Sequence, residues 1–231
     1  MKIGVLLSGC GVYDGAEIQE VVLTLLAIEE LGASYQGISI NKEQHHVINH
    51  LTGETMNESR NMLIESARIV RGKVEDVNDV NTNELDILVI PGGFGSAKNL
   101  SSWAFEGANG EVLPEISELI YKFIDQKKPI VALCVSPVII ALALKNNSQK
   151  ATLTLGSTKV PSSYTIQEFH DSITSIGAES IEKTINEINI DSNYKIISAP
   201  CYMLDCTLPE LRKNIYKAIE AAITIANKQP Y

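Results

Sequence analysis

Apolar positions along this chain fall into two patterns, and the two alternate. Residues 2–8 (KIGVLLS), 86–90 (DILVI) and 129–133 (PIVAL) are short, almost wholly apolar runs rich in β-branched side chains. Such runs predict strands buried on both faces, as in a parallel sheet. Residues 34–40 (SYQGISI) predict another strand, and 74–80 carry only a weak strand signal. Between them, residues 18–31, 56–70 and 114–126 space their apolar side chains three and four apart, which predicts helices. Gly32 and Gly72 close the first two, and Pro114 opens the third. Asp14 with Glu17, and Thr55 with Glu58, have the spacing of capping boxes ahead of the first and second helices. Further on, residues 151–155 predict a short strand and 163–176 a helix. Residues 186–190 and 195–198 predict a hairpin turning at Asp191-Ser192-Asn193, and 208–227 a closing helix. Alternation of strand and helix implies a mostly parallel sheet with right-handed crossovers. No repeat or linker breaks it, so one α/β domain over residues 1–231 is expected.

One stretch organises the rest. In KPIVALCVSPVIIAL (128–142) the apolar strand runs directly into Cys134, and Pro137 then opens a second apolar run, 138–144. Proline is best tolerated in the first turn of a helix, so the pattern is strand, sharp turn, helix. That is the geometry of a nucleophile elbow, which lifts one side chain above the carboxyl edge of a sheet. The small residues Ala132 and Ser136 flank the turn as close packing requires. The spacing alone leaves open that Cys134 is an inert core cysteine.

Ligands of such sheets sit beyond the carboxyl ends of the strands. Three features collect there: the loop at 9–15, the loop PGGFG at 91–95, and Cys134. The glycines Gly92 and Gly93 free backbone N–H groups to face a ligand, and the N–H groups of Gly93 and Val135 are suited to an oxyanion hole beside the sulfur. A thiol at a helix start is expected to have a lowered pKa, and a nearby carboxyl to exchange a proton with it. Glu17 and Glu20 on the first helix are the candidates. The capping role leaves Glu20 the freer of the two, although periodicity alone does not say which points at Cys134. Cys10 and His50 are further pocket candidates. His45, His46 and His50 share one loop without carboxylates at ligand spacing, so no metal is expected.

Composition narrows the function. The 231 residues are 45% hydrophobic and 20% charged, with a net charge of −9. An acidic surface repels phosphate backbones, which argues against nucleic acid as partner. No apolar run approaches ~18 residues, so no membrane span is expected. The N-terminus reads as a first strand and not a signal peptide. Four cysteines (10, 134, 201 and 206) without a CxxC pair suggest a reducing compartment, taken here as the cytoplasm.

Several long motifs resemble one family. CVSP after a buried strand, PGGFG after the preceding one and GAEIQE opening the first helix are similar to the class I glutamine amidotransferase-like superfamily with its PfpI-type members. SGCGVYDGAEIQE, VINHLTGE, RNMLIESARIVRG and PGGFGSAKNLSSWAF resemble more closely the enhancing-lycopene-biosynthesis, or sigma cross-reacting, protein family. The likeness is dense from residue 2 to about 144 and weaker beyond, where APCYML is similar too. It implies a flavodoxin-like three-layer sandwich with helices on both faces of the sheet, and a cysteine on an elbow. It places the acidic partner of Cys134 at Glu20. It also implies a cofactor-free glyoxalase III-like activity on a small carbonyl substrate, and a homodimer. Two departures stand out. Many hydrolases of the superfamily place a histidine after the strand that follows the elbow helix, where this chain has ATLTLGSTKV, and His170 lies well beyond. Ser136 stands where many members have glycine. Two functions are therefore expected to compete. One is a glyoxalase III-like enzyme that converts a 2-oxoaldehyde to the hydroxy acid through Cys134 and Glu20. The other is a non-enzymatic sensor in which Cys134 is oxidised.

Overall fold

The computed structural model describes residues 1–148 and 150–228. The apolar runs become the middle of one sheet: β1 (Lys2–Leu6), β2 (Ser34–Ser39), β3 (Val74–Asp76), β4 (Ile87–Ile90) and β5 (Ile130–Leu133) are parallel. A small separate pair follows, β6 (Thr152–Leu153) with β7 (Glu179–Ser180). The expected hairpin is β8 (Asn189–Asp191) and β9 (Ile196–Ala199); β9 joins the sheet parallel to β5, and β8 closes the edge antiparallel. The strand order is β3-β2-β1-β4-β5-β9-β8. All residues of β4, β5 and β9 are buried, as their unbroken apolar sequence demands.

The helices are α1 (Ile18–Glu30), α2 (Met62–Ile69), α3 (Phe94–Lys98), α4 (Trp103–Glu106), α5 (Pro114–Asp125), α6 (Pro137–Leu144), α7 (Ile166–Ser175) and α8 (Leu208–Asn227). α1 packs along α8, which lies over β5 and β9, while α5 and α6 pack together against β5. The result is the flavodoxin-like α/β sandwich expected from the motifs. Among the described residues, no helix is long and apolar enough to cross a membrane.

Both sequence-read capping boxes are replaced. The chain before α1 folds into a tight turn, with Gly15 N–H on Gly11 O (2.7 Å) and Gly11 N–H on Ala16 O (2.9 Å). That carries Asp14 away, and its carboxylate accepts from Ile48 N–H instead (2.7 Å). Glu17 itself becomes the N-cap, its side chain accepting from Glu20 N–H (2.6 Å). α2 begins at Met62, not 56, because residues 47–56 form a local hairpin, with an Ile48–Thr55 bridge and Met56 N–H on Val47 O (2.7 Å). Asn61 caps α2, and Glu58 pairs with Arg60. These corrections matter at the site, because they free Glu20 and fix Glu17.

Candidate functional site

Since β1, β4, β5 and β9 run parallel, the loops after all four emerge at one edge. Cys134 is the first residue past β5. Its N–H still continues the sheet, donating to Ala199 O of β9 (2.9 Å), and the backbone then turns with φ +57. A non-glycine residue in that region costs about 1–3 kcal/mol and persists only where its surroundings hold it. Ser136 N–H closes the turn on Leu133 O (2.9 Å), and Pro137 starts α6. Ser136 also locks the turn to its neighbour. Its hydroxyl donates to Pro91 O (2.6 Å) and lies 3.0 Å from the Ser96 hydroxyl, which bonds the same carbonyl. A glycine at position 136 could not make that tie.

The loop after β4 closes against the sulfur. An added Cβ on Gly92 would fall 2.4 Å from Cys134 Cβ and 2.6 Å from Glu20 Oε2, so nothing larger than glycine fits. Gly93 has φ +97, and its Cβ would meet Glu17 N and Gly15 O at 2.4 Å. The N–H groups of Gly93 and Val135 both face the Cys134 sulfur. Across from them, Glu20 is wholly buried on α1. Its Oε2 accepts from Gly92 N–H (2.9 Å), its Oε1 from Tyr202 N–H (3.3 Å), and its carboxyl hydrogen-bonds the Cys134 side chain.

Burial decides the protonation of this pair. Desolvation, with the adjacent Glu17 carboxylate adding to it, pushes Glu20 up to about 8 against the opposing N–H donors and Cys134. Glu20 is therefore mostly protonated at neutral pH. Burial first, then the Glu20 carboxyl, hold the Cys134 thiol well above its usual range, while the Gly93 and Val135 N–H groups pull it down. The expectation of a lowered thiol pKa is thus corrected: at this elbow, burial outweighs the helix start. Glu17 is half-buried, caps α1 and is also raised by desolvation.

The space over the sulfur is narrow. It is walled by Val12, Glu17, Phe94, Tyr164, Phe169 and Met203 and has room for about one water-sized group, about 20 Å³. Burial, then the charges of Cys134 and Glu20, push the Tyr164 phenol up to about 12. Two sequence candidates are not in this cleft. Cys10 is half-buried beside Glu65 and Asp14, and the neighbouring Gly9 N–H is bonded to Ser66 of α2 (3.0 Å). His50 is held away by Ile48 O at Nδ1 (3.0 Å) and Tyr13 N–H at Nε2 (3.3 Å). His170 is buried near Gly156 and Glu182, with its Nε2 unpartnered among the described residues. His45 stacks on Phe105, ring centres 4.2 Å apart. Among the described residues, no cluster of His, Cys, Asp and Glu is placed to hold a metal.

The sequence reading did not anticipate the contribution of the far C-terminal segment. After β9 the chain turns at Cys201 (φ +48), whose N–H is held by Asn214 of α8 (3.1 Å). That turn presents Tyr202 N–H to Glu20. The APCYML motif was the available signal, though it names no side chain with obvious chemistry. Phe94, Tyr164 and Phe169 were likewise unassigned.

By this fold and elbow, and by the match of residues 10–172 to the DJ-1/PfpI family model, the chain belongs to the DJ-1/PfpI family. Its relatives include the rat protein named ES1 protein homolog, mitochondrial, 32% identical over 98% of this chain and 85% of the relative. The human glutamine amidotransferase-like class 1 domain-containing protein 3, mitochondrial, is 32% identical over 98% of this chain and 84% of that protein. A crystal structure of an isoprenoid biosynthesis protein with amidotransferase-like domain, from Ehrlichia chaffeensis, matches with a TM-score of 0.86 at 33% identity. It covers 97% of this chain and 99% of the other. The rat and human relatives, both named as mitochondrial, overturn the cytoplasmic location expected above. Free thiols point to a reducing compartment without saying which one.

Proposed function

We propose that this site converts a small 2-oxoaldehyde, with methylglyoxal as the simplest case, to the corresponding 2-hydroxy acid. The observation that carries the proposal is Glu20: a fully buried carboxyl with a pKa of about 8, hydrogen-bonded to an elbow cysteine, with no histidine among the described residues beside them. A thiol hydrolase must protonate a leaving amine, and a histidine normally does that. An aldehyde isomerisation has no leaving amine, so one carboxyl near neutral pKa can take a proton and return it.

The Cys134 sulfur adds to the aldehyde carbon C1, and the thiol proton reaches the C1 oxygen through Glu20. Glu20 as carboxylate then removes the hydrogen on C1, giving an enediolate held by the N–H groups of Gly93 and Val135. A proton passes from the C1 oxygen to the C2 oxygen, and Glu20 delivers its proton to C2. C1 is oxidised and C2 reduced within one molecule, so no external electron carrier takes part. Water cleaves the resulting thioester, releases the hydroxy acid and restores the thiol. The narrow space above the sulfur supports a small reacting end.

The same narrow space also favours a second reading, in which a single oxygen added to Cys134 is held by protonated Glu20 and the N–H donors. The two readings separate in one assay. Lactate formation from methylglyoxal by the wild type, absent in Cys134→Ala, is expected of the enzyme. Lack of turnover by the wild type, with stoichiometric oxidation of Cys134 by dilute peroxide, would select the sensor.

A further inference from the structure

Beside the narrow cleft lies a much larger groove that the small-aldehyde reaction does not use. It holds about 630 Å³ and shares three walls with the cleft, Phe94, Val135 and Phe169, so the two adjoin. Its remaining walls include Tyr13, Ile48, Trp103 and Ala104. Among the described residues that line it, Lys98 is the one ionic side chain. Burial lowers that lysine's pKa, its ammonium donates to Tyr13 O (2.9 Å), and it rests 5.7 Å from the centre of the Phe94 ring. Two of its walls are phenyl rings, one is an indole and one a phenol, and its floor is held by α3 and α4. Grooves of about 300–1,000 Å³ lined by aromatic side chains are the usual seats of small organic ligands. A methyl substituent would leave this one empty.

We infer that the groove selects the substrate class: the site takes a 2-oxoaldehyde whose second substituent is an aryl or similarly broad apolar group, seated between Phe94, Phe169 and Trp103 while the aldehyde end enters the cleft at Cys134. This rests on the carbonyl reading for the reacting end alone; seating the apolar group does not depend on turnover. Ring-on-ring contact and apolar burial favour a flat group there over a methyl.

Binding of the two product-type acids tests this without relying on catalysis. Calorimetric titration of the wild-type protein with mandelate and with lactate is expected to give at least tenfold tighter binding of mandelate. Ala104 is exposed on α4, so Ala104→Trp can fill the groove, with Ala104→Leu as a milder filling should the tryptophan variant melt early. Either is expected to bring the mandelate-to-lactate ratio close to one. Equal binding of the two acids by the wild type would overturn the inference, as would a mandelate preference that both fillings leave intact. Mandelate preference lost on filling, together with no turnover of any aldehyde, would uphold the groove and remove the proposed reaction.

Discussion

At the scale of single residues, the site is a contest between burial and hydrogen bonding. Cys134 and Glu20 are both raised by desolvation; the Glu20 carboxyl holds the thiol up further, while the nearby Glu17 carboxylate raises Glu20 and the hydrogen bond from Cys134 lowers it. Their effects on catalysis and on thiol acidity therefore have opposite signs. Glu20→Gln removes the acid proposed to move protons, yet it also removes the charge that suppresses the thiolate above pH 8. Alkylation of Cys134 by iodoacetamide at pH 9 is accordingly expected to run about tenfold faster in Glu20→Gln than in the wild type. Equal or slower labelling would mean that the carboxyl does not govern the thiol. Glu20 could be picked out in the sequence as the freer of two acids, but the reason was different from the one supposed. Its neighbour is occupied as the N-cap itself, and Asp14 is spent on Ile48. Spacing identifies a residue able to cap; it does not say where a glycine-rich turn will carry it.

At the scale of elements, the buried central strands and the elbow turn were legible because each is a local pattern, whereas β7, two residues long, was not. Four buried residues in a row, a cysteine and a proline three residues on read as strand, turn and helix, although that spacing alone leaves open an inert core cysteine. β4, β5, α5 and α6 appear within a residue or so of where periodicity puts them. The losses occur where two local signals compete. Thr55 and Glu58 have the spacing of a helix start, but the hairpin at 47–56 captures Thr55 and Met56 first, and α2 starts six residues late. The short helices α3 and α4 went unseen because four or five residues are too few to show a period. They form one side of the aromatic groove, so the part of the site with the largest volume was also the part least visible in the sequence.

At the scale of the whole molecule, the site joins distant parts of the chain. Glu20 from the first helix, Gly92 after the fourth strand, Cys134 after the fifth and Tyr202 after the ninth meet at one sheet edge. Tyr202 N–H and Glu20 are 182 residues apart, a contact that follows from sheet order and from no local motif. The buried acid also ties stability to pH. Glu20 ionises near its ordinary value in the unfolded chain and at about 8 in the folded one. Between those values the folded state binds the extra proton, so stability falls as pH rises through that window and levels off above about 8. In urea unfolding, Glu20→Gln is expected to be less stable than the wild type, relative to the values near pH 8.5, by a few kcal/mol at pH 5, losing most of the wild type's decline with pH. Parallel curves for the two proteins would show that Glu20 does not carry the proton. The central claim is that this carboxyl, and no histidine, moves the proton between carbons. It is tested most directly by lactate formation from methylglyoxal near pH 7.5, with Glu20→Gln compared with His50→Asn and His170→Asn. The account predicts a loss of about 10²–10⁴-fold in the first and near wild-type rates in the other two. An active Glu20→Gln, or a dead histidine variant that folds normally, would contradict it.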